Sequence, residues 1–432
     1  MGWVSRPFGE LFAEPTRNGL TRPKAVRGHG VKMVNMGELF AHPRLRNAPM
    51  DRVPLSQSES ERFLLKDGDL LFARQSLVLE GAGKCSIFLR DDEAVTFESH
   101  VTRVRLDPTK ADPSFYFYYL QSHHGRAAIR GIVEQGAGAS GIRGSDLLSL
   151  DVLWCPLPEQ RAIAGILDSL DDKIELNRQM AATLEEMARA IFKSWFIDFD
   201  PVRAKAEGRP TNLPPEVDAL FPGSLSDSGL GAIPDGWRIG SIAELADIGG
   251  GSTPSTKSPE FWDGDHAWAT PKDLSKLSHP VLLQTERRIT DAGLRSISSG
   301  LYPAGTVLMS SRAPIGYLAI SEIPLAVNQG FIALRPKIEN GSVFLLNWLQ
   351  SHMDEVHRRA NGSTFMEISK SSFRSIETFL PPEALIAAFG VLIDPLHERL
   401  VATTKESHEL ADIRDALLPK LISGEMEVPR SP

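Results

Sequence analysis

LPEQRAIAGILDSLDDKIELNRQMAATLEEMARAIFKSWFIDFDPVRAK, residues 157–205, carries the clearest periodicity in the chain. Ile163, Leu170, Asn177, Leu184 and Ile191 recur at intervals of seven. Leu167, Ile174, Ala181, Ala188 and Trp195 form a second row four residues behind them. Two rows with this spacing make one seam along a helix, the pattern of a coiled coil. Pro158 sits just before the helix, where proline is tolerated. At 1.5 Å per residue, 159–196 predicts a rod of roughly 55 Å. The stretch ends in an aromatic cluster, Phe192, Trp195, Phe196 and Phe199, threaded with Asp198 and Asp200. Such a cluster suits an active site, a domain joint or a docking patch.

Outward from the helix, the chain repeats itself. Trp3 with GEL (9–11) matches Trp237 with AEL (243–245). GDLLFAR (68–74) resembles GTVLMSSR (305–312), and LQSH occurs at 120–123 and again at 349–352. SGIRGSDLLSL (140–150), a strand-like end, lies over TFMEISKSSFRSI (364–376), with Ile142 over Ile368. LPEQ (157–160) echoes PPEA (381–384), and LDSLDDKI (167–174) lies over IDPLHERL (393–400). The matches keep their order, with offsets confined to 224–238. That is a domain duplication rather than a short-period solenoid. Within each half, VTRVRL (101–106), VLMSS (307–311) and FIALRP (331–336) predict strands. FYFYYLQSHHGRAAIRG (115–131) and VFLLNWLQSHMDEVHRRA (343–360) predict helices.

The second long helix has Ile386, Ile393, Leu400 and Ser407 in one row and Phe389, Leu396, Thr403, Leu410 and Leu417 in the other. Pro395 lies inside it and predicts a kink or restart, with Asp394 placed to cap the restarted part. Two seams at equivalent places in a duplicated chain bury themselves most simply against each other. Antiparallel packing sets Asn177 opposite Thr403 and Ser407, a polar layer suited to fixing register.

The chain has 432 residues, 42% hydrophobic and 24% charged, which suits two or three cored domains. No run of 18 apolar residues predicts a membrane span, and MGWVSRPFGELF lacks a signal-peptide pattern, so a cytoplasmic protein is expected. Cys85 and Cys155 read as free thiols. The net charge of −8 is unevenly spread: residues 1–155 carry +2, 156–235 carry −6, 236–380 carry 0 and 381–432 carry −4. The first 52 residues hold 9 basic and 4 acidic side chains. Both globular halves are therefore electrostatically permitted to meet nucleic acid, which responds to local basic faces rather than to the total.

Catalytic motifs fail on spacing. LEGAGKCS (79–86) suggests a phosphate loop, but Val78 replaces the required leading glycine and Cys85 the Ser/Thr after the lysine. GGGSTP (249–254) lacks dinucleotide spacing. No Asn/Asp-Pro-Pro-aromatic motif of a base-flipping methyltransferase occurs, and no His-Glu-x-x-His zinc motif. Asp198 and Asp200 lack the acid-x-Lys spacing of a Mg²⁺ nuclease, and they read as exit-turn carboxylates.

Residues 157–205 closely resemble the central conserved region of type I restriction–modification specificity subunits, and RDALLPKLISGEMEV (414–428) resembles that family's C-terminal signature. GGGSTPS (249–255), WATPKDL (268–274), SSRAPIG (310–316) and NQGF (328–331) are similar to its target-recognition domains, as are RNGLT (17–21) and GDLLFARQS (68–76). The resemblance implies an α+β fold: two similar mixed α/β target-recognition domains separated by two long antiparallel helices as a coiled-coil spacer, with pseudo-twofold duplication. The expected boundaries are 1–156 and 236–380 for the recognition domains, 157–200 and 381–424 for the spacer helices, 201–235 for a linker and 425–432 for a tail. The resemblance also implies a non-catalytic subunit that reads a bipartite asymmetric site on double-stranded DNA. Two methyltransferase subunits and restriction subunits would be its partners. S-adenosylmethionine, ATP and Mg²⁺ would belong to those partners, and none to this chain. A free-standing bipartite DNA-binding regulator and an enzyme with an unrecognised site are the rival readings.

Base reading uses bidentate donors and acceptors, and phosphate positioning uses Lys, Arg, Ser, Thr and backbone amides. The candidate readers are Arg17, Asn18, Arg22, Lys24, Arg74, Gln75 and Ser76 in the first half. In the second they are Ser252, Thr253, Ser255, Lys257, Arg312, Asn328, Gln329, Ser363 and Thr364. Phe192, Trp195, Phe196 and Phe199 are expected to give part of their surface to a methyltransferase subunit.

Overall fold

A computed structural model of the chain describes residues 3–136, 138–229, 231–312, 314–362 and 366–428. The chain divides into two compact units, 1–173 with 409–432, and 174–408. Each holds one globular domain and part of each of two 40-residue helices, Leu157–Phe196 and Glu383–Ile422.

The first unit is built on a five-stranded sheet ordered Arg17–Asn18, Val101–Val104, Leu70–Ala73, Cys85–Phe88, Arg44–Leu45. All its pairs are antiparallel except the last. A three-stranded sheet holds Val31–Val34 between Asp51–Val53 and, in parallel, Val95–Phe97. Val4–Pro7 pairs with Asp151–Trp154 and closes the domain.

The second unit repeats these three sheets. Its five strands run Ala246–Gly249, Phe331–Pro336, Val307–Ser310, Leu318–Ser321, Val281–Leu282, again with only the last pair parallel. Trp262–Ala269 lies between Arg287–Ile289 and, in parallel, Leu325–Val327, and Arg238–Ser241 pairs with Glu377–Leu380. The central strands LLFA and VLMS are buried throughout, as continuous apolar runs require. Gly68 (φ +82°) and Gly305 (φ +85°) make the tight entry turns to these two strands, a backbone shape that glycine adopts at little cost.

Each predicted recognition-domain helix is two helices broken within the repeated LQSH. The first pair is Pro113–Gln121 and His123–Ile132, and the second is Ser342–Ser351 and Met353–Arg358. In the first pair the Ser122 hydroxyl accepts the Gly125 amide at 3.3 Å and caps the new helix. In the second, His352 stacks on Trp348, ring centroids 4.3 Å apart. The strand-like end at 140–150 is mostly a helical turn, Gly144–Leu148, matched by Lys370–Arg374. Ile142 and Ile368 are both buried just before these turns.

None of the ten seam positions of the first long helix is exposed. In the second unit Asn177 Nδ2 donates to Glu406 Oε2 at 2.9 Å, and Thr403 reaches the Met180 sulfur at 3.8 Å. Ala181 is buried with Leu400 and Val401. In the first unit Arg414 Nη1 donates to Asp171 at 2.7 Å. The two helices are therefore antiparallel within each unit. The polar layer exists, with Glu406 rather than Ser407 as the direct partner of Asn177.

Pro395 does not restart the second helix, and Asp394 is an interior residue rather than a cap. Proline at 395 frees the carbonyl of Val391, and both positions lie on the exposed face, where water can satisfy it. The stretch 201–235 is no free linker either. It forms the helix Asp200–Ala206, a helical turn at Pro215–Asp218 and the hairpin Leu225–Ser228 with Gly231–Pro234. Val202, Phe221 and Ile233 are buried in the core of the second unit. Asp198 and Asp200 do flank an exit turn: Phe199 is left-handed (φ +57°), Asp198 pairs with Lys193, and Asp200 begins the next helix.

The aromatic cluster is interior. Phe192, Trp195, Phe196 and Phe199 are each no more than 5% exposed. The Phe192 ring lies 5.2 Å from Phe196, 5.4 Å from Phe344 and 5.9 Å from Phe389. Trp195 packs edge-on to Phe221, and Phe199 to Trp237. The expectation that these rings dock a partner is thereby corrected: the chain uses them to weld the helix to its own second domain. Further ties fix each long helix to the domain of the unit it runs through. Arg44 Nη2 meets Asp172 at 2.8 Å and the Tyr118 hydroxyl donates to Asp171 at 2.8 Å in the first unit. His279 pairs with Glu185, and His397 with Glu322 at 2.9 Å, in the second.

Candidate nucleic-acid interface

In the second domain, two indoles hold the glycine-rich loop. Trp268 Nε1 donates to the Ser252 carbonyl at 3.3 Å, and Trp262 Nε1 donates to the Ser255 carbonyl at 3.1 Å. The Tyr302 hydroxyl donates to the Gly250 carbonyl at 2.8 Å. Gly251 presses on the next segment so closely that a Cβ there would lie 1.6 Å from the Val327 carbonyl oxygen. The loop is thus a pinned edge rather than a flexible flap.

That edge gathers most of the expected readers of this half. The Thr253 hydroxyl donates to Gln329 Oε1 at 2.6 Å. Asn328 Oδ1 accepts the Gly330 amide at 2.9 Å, and the Gly330 carbonyl accepts the Ser311 amide at 2.8 Å, next to Arg312. Lys257 is exposed, and the Ser255 hydroxyl accepts its amide at 3.3 Å. Ser363 and Thr364 lie outside the described residues.

In the first domain the readers are less concentrated. Arg17 and Asn18 form the edge strand beside Val101–Val104, with the Arg17 guanidinium 5.5 Å over the Phe63 ring. Asn18 Oδ1 accepts the Thr102 hydroxyl at 2.8 Å. Arg22 is engaged with Glu59 at 2.6 Å, a hydrogen bond that holds the Glu59 carboxyl down at about 2. Lys24 is exposed in the turn Lys24–Val26. Arg74 Nη1 donates to the Ser99 carbonyl at 2.8 Å, while Gln75 is exposed. Gln75–Ser76 form one strand of a ribbon with Ser140–Gly141 and Glu134–Gln135.

Backbone register shows which residues correspond. The Arg74 carbonyl accepts the Ile142 amide at 2.9 Å, and the Ser311 carbonyl accepts the Ile368 amide at 3.1 Å. Gln75 pairs with Gly141, and Arg312 pairs with Glu367, which pairs with Asn361. Ser311 therefore occupies the place of Arg74, and Arg312 that of Gln75. Successive side chains on an extended strand face opposite ways, so the two arginines of the repeated motif do not face alike.

Sequence reasoning missed Trp262, Trp268 and Arg287. The exposed Arg287 guanidinium lies 3.5 Å over Trp262 and 5.6 Å from Trp268. An indole pair on one strand was the available signal; the strand is bulged between Trp262 and His266, and the two rings meet edge to face with centroids 5.0 Å apart. Among the described residues Arg287 has no ion-pair partner, so its charge is available beside the loop.

Residues 3–186 and 234–385 match the Type I restriction modification DNA specificity domain, and the chain belongs to that family. It is a type I specificity subunit, a non-catalytic DNA-recognition component of its system. It is 27% identical over 405 residues to the type I restriction enzyme HindI specificity subunit of Haemophilus influenzae, covering 84% of this chain and 87% of that one. It is 37% identical over 191 residues to the MjaIX specificity subunit of Methanocaldococcus jannaschii, 44% of each chain. The crystal structure of the S subunit from M. genitalium shares the fold, with a TM-score of 0.54, 19% identity and coverage of 98% of this chain and 96% of that one. No helix among the described residues is long and apolar enough to cross a membrane.

Proposed function

We propose that the chain reads a bipartite, asymmetric site on double-stranded DNA, one half with each recognition domain, and docks two methyltransferase subunits and restriction subunits onto that core in the cytoplasm. One observation carries the reading: the two domains repeat one framework but place different side chains at equivalent edge positions. Gln75 in the first domain corresponds to Arg312 in the second, and Arg74 corresponds to Ser311. Amide and guanidinium side chains favour different bases, adenine and guanine respectively. Two like frames with unlike readers suit two unlike half-sites. S-adenosylmethionine, ATP and Mg²⁺ chemistry is assigned to the partner subunits, and this chain supplies positioning alone.

Methylome sequencing of a host with and without the gene tests this. Loss of one split methylation motif is the expected result. An unchanged methylome, together with failure to co-purify with a methyltransferase subunit, would replace the proposal with a free-standing DNA-binding regulator.

A further inference from the structure

We infer that Leu77, backed by Val78, is an apolar probe that the first recognition domain presses onto the bases of its half-site. The inference rests on the DNA-reading function proposed above. Leu77 is 89% exposed, more than any other large apolar side chain among the described residues, and Val78 is 59% exposed. One exposed leucine on a surface is ordinary. Here two adjacent ones stand at the tip of a braced loop, directly after Gln75 and Ser76.

The bracing is specific. The Ser76 hydroxyl accepts the Val78 amide at 3.2 Å. The Val78 carbonyl accepts the Gly81 amide at 3.1 Å, and the Ala73 carbonyl accepts the Gly83 amide at 2.8 Å. A Cβ on Gly81 would lie 2.2 Å from the Ser76 hydroxyl, so the return of the loop is closed down onto its start. Ser76, expected to face DNA, instead spends its hydroxyl on holding this tip. Ordering a loop so that it exposes leucine and valine gains nothing for the free protein, since that apolar surface stays in water. The gain comes when the tip is covered.

The neighbouring ribbon says by what. Gln75 is exposed on the outer strand of the three-stranded ribbon, and the major groove admits two strands side by side, enough for this strand and its neighbour. A tip continuous with that strand reaches the bases, whose apolar surfaces are the thymine methyl groups in the major groove and, for a side chain wedged in from the minor groove, the faces of an opened base-pair step. Both offer the same chemistry to Leu77.

The test uses the full chain assembled with its methyltransferase subunits, on a duplex carrying the motif found by methylome sequencing. Leu77→Ala changes an exposed side chain, so the thermal midpoint should hold. Affinity should fall about tenfold, the loss of one buried aliphatic side chain. Uracil substituted for thymine in the first half-site should weaken the wild type and have no further effect on Leu77→Ala if a methyl group is the target. If an opened step is the target, 2-aminopurine in the first half-site should brighten with the wild type and not with Leu77→Ala. Unchanged affinity for Leu77→Ala on a duplex that the wild type binds would overturn the inference while leaving the proposed function intact. Loss of co-purification with the methyltransferase subunit would likewise overturn it, because the tip would then be a protein contact. Failure of the wild-type complex to prefer any split site would sink the function itself.

Discussion

Arg74→Ala and Arg312→Ala look like equivalent experiments on a repeated motif, yet the structure makes them opposite ones. Arg74 turns back into the first domain, where its Nη1 donates to the Ser99 carbonyl at 2.8 Å and its Nε is enclosed. A hydrogen bond from a charged donor contributes about 1.5–3 kcal/mol. Its loss should lower the thermal midpoint of Arg74→Ala. Arg312, one place further along its strand, pairs by backbone with Glu367 and forms no side-chain ion pair among the described residues. Its replacement should leave the midpoint in place and cost one DNA contact, about 1–3 kcal/mol, or roughly 5- to 150-fold in Kd. Differential scanning fluorimetry and fluorescence anisotropy over a salt series separate the two. If Arg312 touches a phosphate, the salt slope should drop by about 1; if it reads a base, the slope should hold and discrimination at one position should relax. The reasoning fails if Arg74→Ala is fully stable and loses more affinity than Arg312→Ala. That outcome would mean that the register-based correspondence does not govern which side chain reaches DNA.

Three further outcomes are expected. Phe192→Ala removes a ring packed against Phe196, Phe344 and Phe389, and should cost about 3–5 kcal/mol in urea unfolding; a loss under 1 kcal/mol would show that the ring is not core. Asn177→Leu gives up one hydrogen bond to Glu406 but buries no amide, so stability should rise by about 1 kcal/mol. A cysteine pair at 180 and 403 should still cross-link in that variant, because the aromatic core and the two His–Glu pairs also hold the register; loss of the cross-link would make Asn177 the register determinant. The Glu59 carboxyl, held near 2 by Arg22, contributes stability above the ordinary glutamate value of 4.5 and loses it as pH falls toward 2. Urea midpoints should therefore fall less steeply over that window in Arg22→Gln than in the wild type, and parallel curves would show that the pair carries no linkage.

The long helices, the duplication and the family were legible in the chain because they rest on spacing. A seven-residue apolar repeat has one physical solution, a seam that must be covered, and two copies of it imply mutual burial. Strands such as LLFA and VLMS declared themselves by unbroken hydrophobicity. The expected restart at Pro395 misled because a local rule about a missing amide ignores which face the freed carbonyl occupies. Phe192, Trp195, Phe196 and Phe199 misled because aromatic content states that surface must be buried, not by what. Among the candidate readers, Thr253, Asn328 and Gln329 could be named from residue type, but the indoles that pin their loop do so through backbone carbonyls 7 and 16 residues away, a contact that residue type does not reveal. Correspondence between Arg74 and Ser311, and between Gln75 and Arg312, was beyond the sequence. A one-residue offset in a strand leaves composition unchanged and reverses the face, so only hydrogen-bond register between segments distant in the chain decides it.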